Sequence, residues 1–254
     1  MTDYHPVGLI AVQHPVRYSV IMAASDNNDK GKSMGTHVVT GATGFVGGAL
    51  VLELLQRTED PILCLVRPGE QDPQQRLMQA LTLAADAYAA PAAVRAALAT
   101  RVRAVAGDVE LPDCGVDLGQ LNGTIDQPCD TFWHSAASLR FEDRHAEQIF
   151  KTNVDGTRHA LALAGQLGVR DFNSMSTAYV AGQTTGLVPE TRQSGAAPNN
   201  LYEKSKIEAE ALILAAQQFA VRIFRPSIVI GHSQTYGATN FTGMYGLLRN
   251  LYAF

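Results

Sequence analysis

From Thr36 onward, short apolar runs alternate with longer stretches of helical period. Thr36–Thr40 is β-branched and closed by Gly41. Phe45–Arg57 then sets Phe45, Leu50, Leu52, Leu54 and Leu55 at helical spacing, with no proline. Ile62–Val66 reads as a second buried strand, opened by Pro61 and ended by Pro68-Gly69. Residues 74–100, rich in Ala and Leu, predict one or two helices broken near Pro91. Val102–Ala106 is a third strand, followed by a loop with Pro112, Gly115 and Gly119 and a short helical turn. Further strands are predicted at 131–134, Asp171–Met175 and 221–224, with helices over 142–167 and 202–219. Strands that alternate with helices form βαβ units. The predicted fold is therefore α/β, a Rossmann-type doubly wound parallel sheet with helices on both faces.

Residues 1–35 differ. They hold no sustained period and end in a polar stretch at 25–33, so a disordered N-terminal arm is expected ahead of an NAD(P)-binding domain over 36–254. Met34 stands just before the first strand, so the natural start is either Met1 or Met34. The partly apolar segment 6–24 is interrupted by His14 and Arg17 and makes a poor signal peptide. No run reaches the roughly 18 apolar residues of a membrane span. With 46% hydrophobic residues, the 254-residue chain can bury a substantial core. Its net charge of -4, with no block of like charges, points away from nucleic acid as a partner. Cys64, Cys114 and Cys129 have neither a disulfide nor a zinc-ligand pattern, and no other residues suggest a metal site. They read as reduced thiols of a cytoplasmic protein, Cys64 as a small buried hydrophobe. No feature sets an oligomeric state.

Candidate chemistry begins at residues 40–47, TGATGFVG, between a strand and an amphipathic helix. There Gly41 permits the sharp turn, Gly44 lets backbone approach a diphosphate, and Gly47 allows close helix–strand contact. The helix start then presents free N–H groups to the phosphates. At the end of the second strand, where an acid often binds the NAD ribose, stands Arg67. A guanidinium suits a 2′-phosphate, which favours NADP(H) over NAD(H), and an ordinary solvated arginine is the competing reading. Lys32 is a weaker candidate for the same role. Asp108 after the third strand suits either the adenine amino group or a turn.

Tyr202 and Lys206, four apart on a helix, share a face. A nearby ammonium lowers the pKa of a phenol and fits it for proton transfer. Ser176 and Thr177, at a strand's carboxyl end, each offer a hydroxyl to a substrate carbonyl or simply form a turn. His134 reads as a satisfied structural histidine, followed by small residues that let backbone pass close to a cofactor. No histidine has partners spaced for a hydrolase triad.

These residues resemble the extended short-chain dehydrogenase/reductase superfamily. The resemblance rests on 40–47, 107–109, 134–137, 153–157, 176–182, 202–206 and 225–231 and covers about 36–246. Within it, the chain looks most like the thioester reductase and fatty acyl-CoA reductase branch, through GATGFVG, the LVR strand end at 65–67, STAYVAG at 176–182 and FRPSIVIG at 224–231. The resemblance implies Thr177 as the catalytic hydroxyl, Tyr202 as the acid and Lys206 as its partner. It places Gly41, Thr43, Gly44, Phe45, Val46, Gly47, Arg67, Asp108, Val109, Ser135, Ala136, Ala137, Asn153, Tyr202, Lys206, Pro226 and Ser227 around the cofactor. Asn153 would support the proton path, and Pro226 and Ser227 would lie against the nicotinamide. The implied reaction is NADPH-dependent reduction of a small-molecule or carrier-bound acyl thioester to aldehyde or alcohol. Sugar-nucleotide epimerase or dehydratase, hydroxysteroid-type dehydrogenase and inactive binding module are the alternatives. Members of the branch continue into a helical substrate domain, so that domain is expected to be missing or only begun by Phe254.

Overall fold

The computed structural model describes residues 35–122, 127–190, 197–241 and 244–252. The expected N-terminal arm and Lys32 lie outside the described residues, save for Gly35, which is buried. Six parallel strands form one sheet: β1 (Thr36–Thr40), β2 (Ile62–Val66), β3 (Val102–Ala106), β4 (Cys129–His134), β5 (Asp171–Met175) and β6 (Ala220–Phe224). Their order is β3-β2-β1-β4-β5-β6. The chain reverses direction across the sheet between β1 and β4, and a crevice opens at the carboxyl ends of strands around such a point. Thr40 pairs with His134, His134 with Ser174, and Met175 with Phe224, so β1, β4, β5 and β6 end together at that edge.

β1 and β2 are buried along their whole length, which explains their unbroken apolar character. Neighbouring strand residues face opposite sides. Val39, Cys64 and Trp133 pack against α1 (Phe45–Arg57), α2 (Pro73–Ala87) and α3 (Ala92–Arg101). Val38, Leu63, Phe132 and Phe172 turn the other way, onto the short α4 (Leu118–Asn122), α6 (Gly156–Gln166) and α7 (Leu201–Ala215). All three cysteines are free and buried, and burial pushes the thiols up, to about 12 at Cys114 and about 11 at Cys129.

The departures from the sequence expectation have tertiary causes. β4 starts at Cys129, two residues before the predicted 131. The helix expected over 142–167 is interrupted. A 3₁₀ turn (Asp143–His145) leads into α5 (Ala146–Phe150), and a π-type turn (Lys151–Asp155) joins α5 to α6. One extra residue in that turn buries Asn153. The helix expected over 202–219 ends at Ala215, because Phe219 leaves the helical path to pack on Phe172, with ring centroids 5.7 Å apart. An unpredicted helix, α8 (Met244–Tyr252), follows β6. Among the described residues no helix is long and apolar enough to cross a membrane.

Candidate active site

The first part of the site is a cradle of bare backbone. Gly41 sits at φ +75°, and a Cβ there would lie 2.7 Å from the Ala136 nitrogen and the Ser135 carbonyl carbon. A Cβ on Gly47 would lie 2.7 Å from the Gly41 carbonyl carbon. Gly44 is exposed and caps α1 with no side-chain hydrogen bond, and no acid lies in the first turn of that helix. The N–H groups there have neither a side-chain cap nor a competing negative charge, and they meet the requirements of a diphosphate. The described residues therefore fit a dinucleotide.

A buried hydroxyl–imidazole chain holds this cradle in place. Thr40 Oγ1 accepts from the Ser135 and Ala136 amides, each at 3.2 Å, and lies 2.9 Å from His134 Nδ1. His134 Nε2 lies 3.2 Å from Thr157 Oγ1, which itself donates to the Asn153 carbonyl at 2.6 Å. With both its lone pairs occupied by amides, Thr40 donates to Nδ1; with its own proton committed, Thr157 accepts from Nε2–H. The imidazole is neutral in the Nε2–H form. Burial lowers its pKa to about 3, and the Lys206 charge adds to the effect.

An unfolded imidazole binds its proton near 6.5 and the folded His134 only near 3, so unfolding takes up a proton between those limits. Stability from this group is whole above pH 6.5 and falls by about 1.4 kcal/mol per pH unit as pH drops toward 3. Urea unfolding between neutral and acid pH measures that slope. A slope unchanged in His134→Gln would overturn the assignment.

At the end of β2, Arg67 is exposed, with its guanidinium 3.9 Å from Glu110. Arg76, which sequence reasoning missed, donates to the Arg67 carbonyl at 2.8 Å and puts a second cation there. Asp108 displays the turn role: its carboxylate accepts the Glu110 amide at 3.0 Å. The carbonyl of Val109 is held by His159 Nδ1 at 2.8 Å.

The second part of the site is built on α7. Asn200 caps the helix by accepting the Glu203 amide at 2.9 Å. Within the first two turns, Tyr202 and Lys206 are both buried. Burial raises the pKa of the Tyr202 phenol, and a side-chain hydrogen bond with Thr177 pulls the other way. The expected lowering of that pKa by Lys206 is not what the structure shows. Lys206 instead donates to the Met175 carbonyl at 2.9 Å, and burial lowers its own pKa to about 8 against the attraction of Glu210. The phenol therefore stays protonated at neutral pH, in the form that can donate.

Of the two adjacent hydroxyls, Thr177 meets Tyr202. Ser176 points away and donates to Glu210 at 2.5 Å, which removes it as a substrate-facing hydroxyl. Asn153 accepts the Ser138 amide at 2.7 Å and donates to the Ser138 carbonyl at 3.1 Å and to Ser205 Oγ at 2.9 Å. It thereby ties the Ser135, Ala136 and Ala137 segment to α7. The carbonyl of Pro226 accepts from the Ala178 amide at 2.9 Å, and Ser227 beside it is exposed. Phe141, another residue sequence reasoning missed, packs on Tyr202 with centroids 5.1 Å apart and is 47% exposed.

The sequence and the fold have counterparts among known proteins. The family model described as male sterility protein matches residues 39–253. A linear gramicidin synthase subunit of Brevibacillus parabrevis is 30% identical over 207 residues, covering 78% of this chain and 4% of that protein. Fatty acyl-CoA reductase 2 of Homo sapiens is 33% identical over 155 residues, covering 59% of this chain and 28% of that one. Among solved structures, the terminal R domain from the myxalamid PKS-NRPS biosynthetic pathway superposes with a TM-score of 0.71 at 30% identity, covering 87% of this chain and 54% of that chain. The chain thus spans a small part of these curated relatives and about half of the R domain.

Proposed function

The chain belongs to the male sterility protein family, an NAD(P)-dependent reductase branch of the extended short-chain dehydrogenases/reductases, and on that premise we propose that it reduces an acyl thioester, borne on CoA or a carrier protein, with NADPH. The observation that supports this reading best is the buried, protonated Tyr202 phenol bonded to Thr177 at the end of β5, on the same sheet edge as the glycine cradle. When bound, NADPH supplies the hydride for the carbonyl carbon.

Gly41, Gly44 and Gly47, with Thr43, Phe45 and Val46 at the start of α1, would hold the diphosphate. Arg67 and Arg76 would take the 2′-phosphate, and Asp108 and Val109 would border the adenine. Ser135, Ala136, Ala137, Asn153, Pro226 and Ser227 would surround the nicotinamide half. Thr177 orients the carbonyl oxygen, and Tyr202 donates to that oxygen as negative charge develops. Lys206, one turn behind the phenol, would hold the end of β5 through the Met175 carbonyl and so keep Thr177 beside Tyr202. Phe141 and the partly exposed Tyr179 present apolar surface to the acyl group.

Purified protein is expected to consume NADPH when given an acyl-CoA or an acyl-phosphopantetheine carrier, with aldehyde or alcohol as product. Absence of that turnover alongside steady turnover of a sterol or sugar nucleotide would move the assignment. Arg67→Ala combined with Arg76→Ala is expected to raise KM for NADPH about tenfold or more and to leave KM for NADH unchanged, since only the phosphorylated ribose meets the guanidinium forks. Equal loss for both cofactors would remove these arginines from cofactor choice.

A further inference from the structure

Glu210 follows Lys206 by one turn of α7 and is buried to 4% exposure, an unusual place for a carboxylate. All its partners come from the ends of neighbouring strands. Oε1 accepts from Ser176 Oγ at 2.5 Å and from Arg225 Nε at 3.0 Å, and Oε2 accepts from a second Arg225 nitrogen at 2.7 Å. Ser176 lies between Met175, whose carbonyl receives the Lys206 ammonium, and Thr177, which meets the phenol. Arg225 precedes Pro226, whose carbonyl receives the Ala178 amide. One carboxylate therefore gathers the last residues of β5 and β6 onto the helix that bears Tyr202 and Lys206.

We propose that Glu210 is the positioning residue of this site, clamping Thr177 and Lys206 in place through Ser176 and Arg225. The proposal rests on the reductase reading for the use to which Lys206 is put, though not for the clamp itself. The titratable groups that interact with Lys206 are Glu210 from α7 and His134 from β4, with Arg225 behind Glu210, and Tyr202 stands one turn earlier on α7. His134 is neutral, β5 contributes a carbonyl, and the π-type turn contributes the uncharged Asn153. Glu210 is thus the negative charge that opposes the loss of the Lys206 proton caused by burial.

The chain has five lysines, Lys30, Lys32, Lys151, Lys204 and Lys206, so the Lys206 titration can be followed by NMR of protein labelled with carbon-13 at lysine Cε. In Glu210→Gln, the Lys206 midpoint is expected to fall by about half a pH unit or more, and the alkaline limb of kcat to move with it. Ser176→Ala keeps the charge and releases one arm; it is expected to lower kcat severalfold without moving the midpoint. If Glu210→Gln does not fold, the paired replacement Glu210→Gln with Arg225→Met removes the ion pair as a whole; it is expected to lower kcat severalfold with little movement of the Lys206 midpoint, and a wild-type kcat in that variant overturns the clamp. An unmoved Lys206 midpoint in folded Glu210→Gln overturns the clamp. A midpoint that falls in a protein whose wild type reduces no thioester upholds the clamp and overturns the reductase reading instead.

Discussion

Tyr202→Phe is expected to lower kcat for thioester reduction about a thousandfold while leaving NADPH affinity within about twofold of wild type. The substitution removes one hydroxyl and keeps the ring, so the packing on Phe141 at 5.1 Å survives and the helix stays capped by Asn200. What disappears is the proton for the carbonyl oxygen. Burial holds the phenol above its ordinary pKa, which keeps it protonated and a ready donor to an alkoxide. Thr177 remains and can still orient the oxygen, so residual turnover reflects hydride transfer without the acid. Stopped-flow NADPH oxidation, with fluorescence titration of NADPH, separates the two effects. A variant retaining more than about a tenth of wild-type turnover would take Tyr202 out of the acid role, since general acids contribute hundredfold or more.

The second large effect separates two neighbouring glycines. Gly47→Ala is expected to abolish cofactor binding and to destabilise the fold by about 3 kcal/mol or more. The added methyl would overlap the Gly41 carbonyl oxygen and sit 2.7 Å from its carbon, and both belong to the backbone of the cradle. Neither can move without reshaping the turn proposed to receive the diphosphate. Gly48→Ala, one residue on in the same helix, meets ordinary contacts at 3.5 Å and beyond. It is expected to stabilise the chain by up to about 1 kcal/mol through helix propensity and to bind NADPH normally. Urea unfolding and cofactor titration of the two variants make the comparison. A Gly47→Ala protein as stable as Gly48→Ala would show that the close approach of α1 to β1 is not required.

Much of this architecture is local and was therefore legible in the chain. Thr36–Thr40, Phe45–Arg57 and Ile62–Val66 end where the residues change, at Gly41, at the loop before Pro61 and at Pro68. Such boundaries arise from the steric limits of glycine and proline and from two side-chain periods, which act within a few residues of themselves. The placement of Tyr202 and Lys206 one turn apart on a single helix followed from the same periodicity. The tertiary structure alone decided which of two adjacent hydroxyls reaches the phenol. Ser176 and Thr177 are chemically alike, but neighbouring residues in extended chain point to opposite sides, and only the position of α7 says which side holds Tyr202 and which holds Glu210. It also decided the π-type turn that buries Asn153, because the apolar period runs through 142–167 without a break while the amide's partners, Ser138 and Ser205, lie 15 and 52 residues away. The partner of Lys206 was decided in the same way: a buried ammonium takes the nearest strong acceptor, and that proved to be the Met175 carbonyl, supplied by a strand 31 residues earlier in the chain.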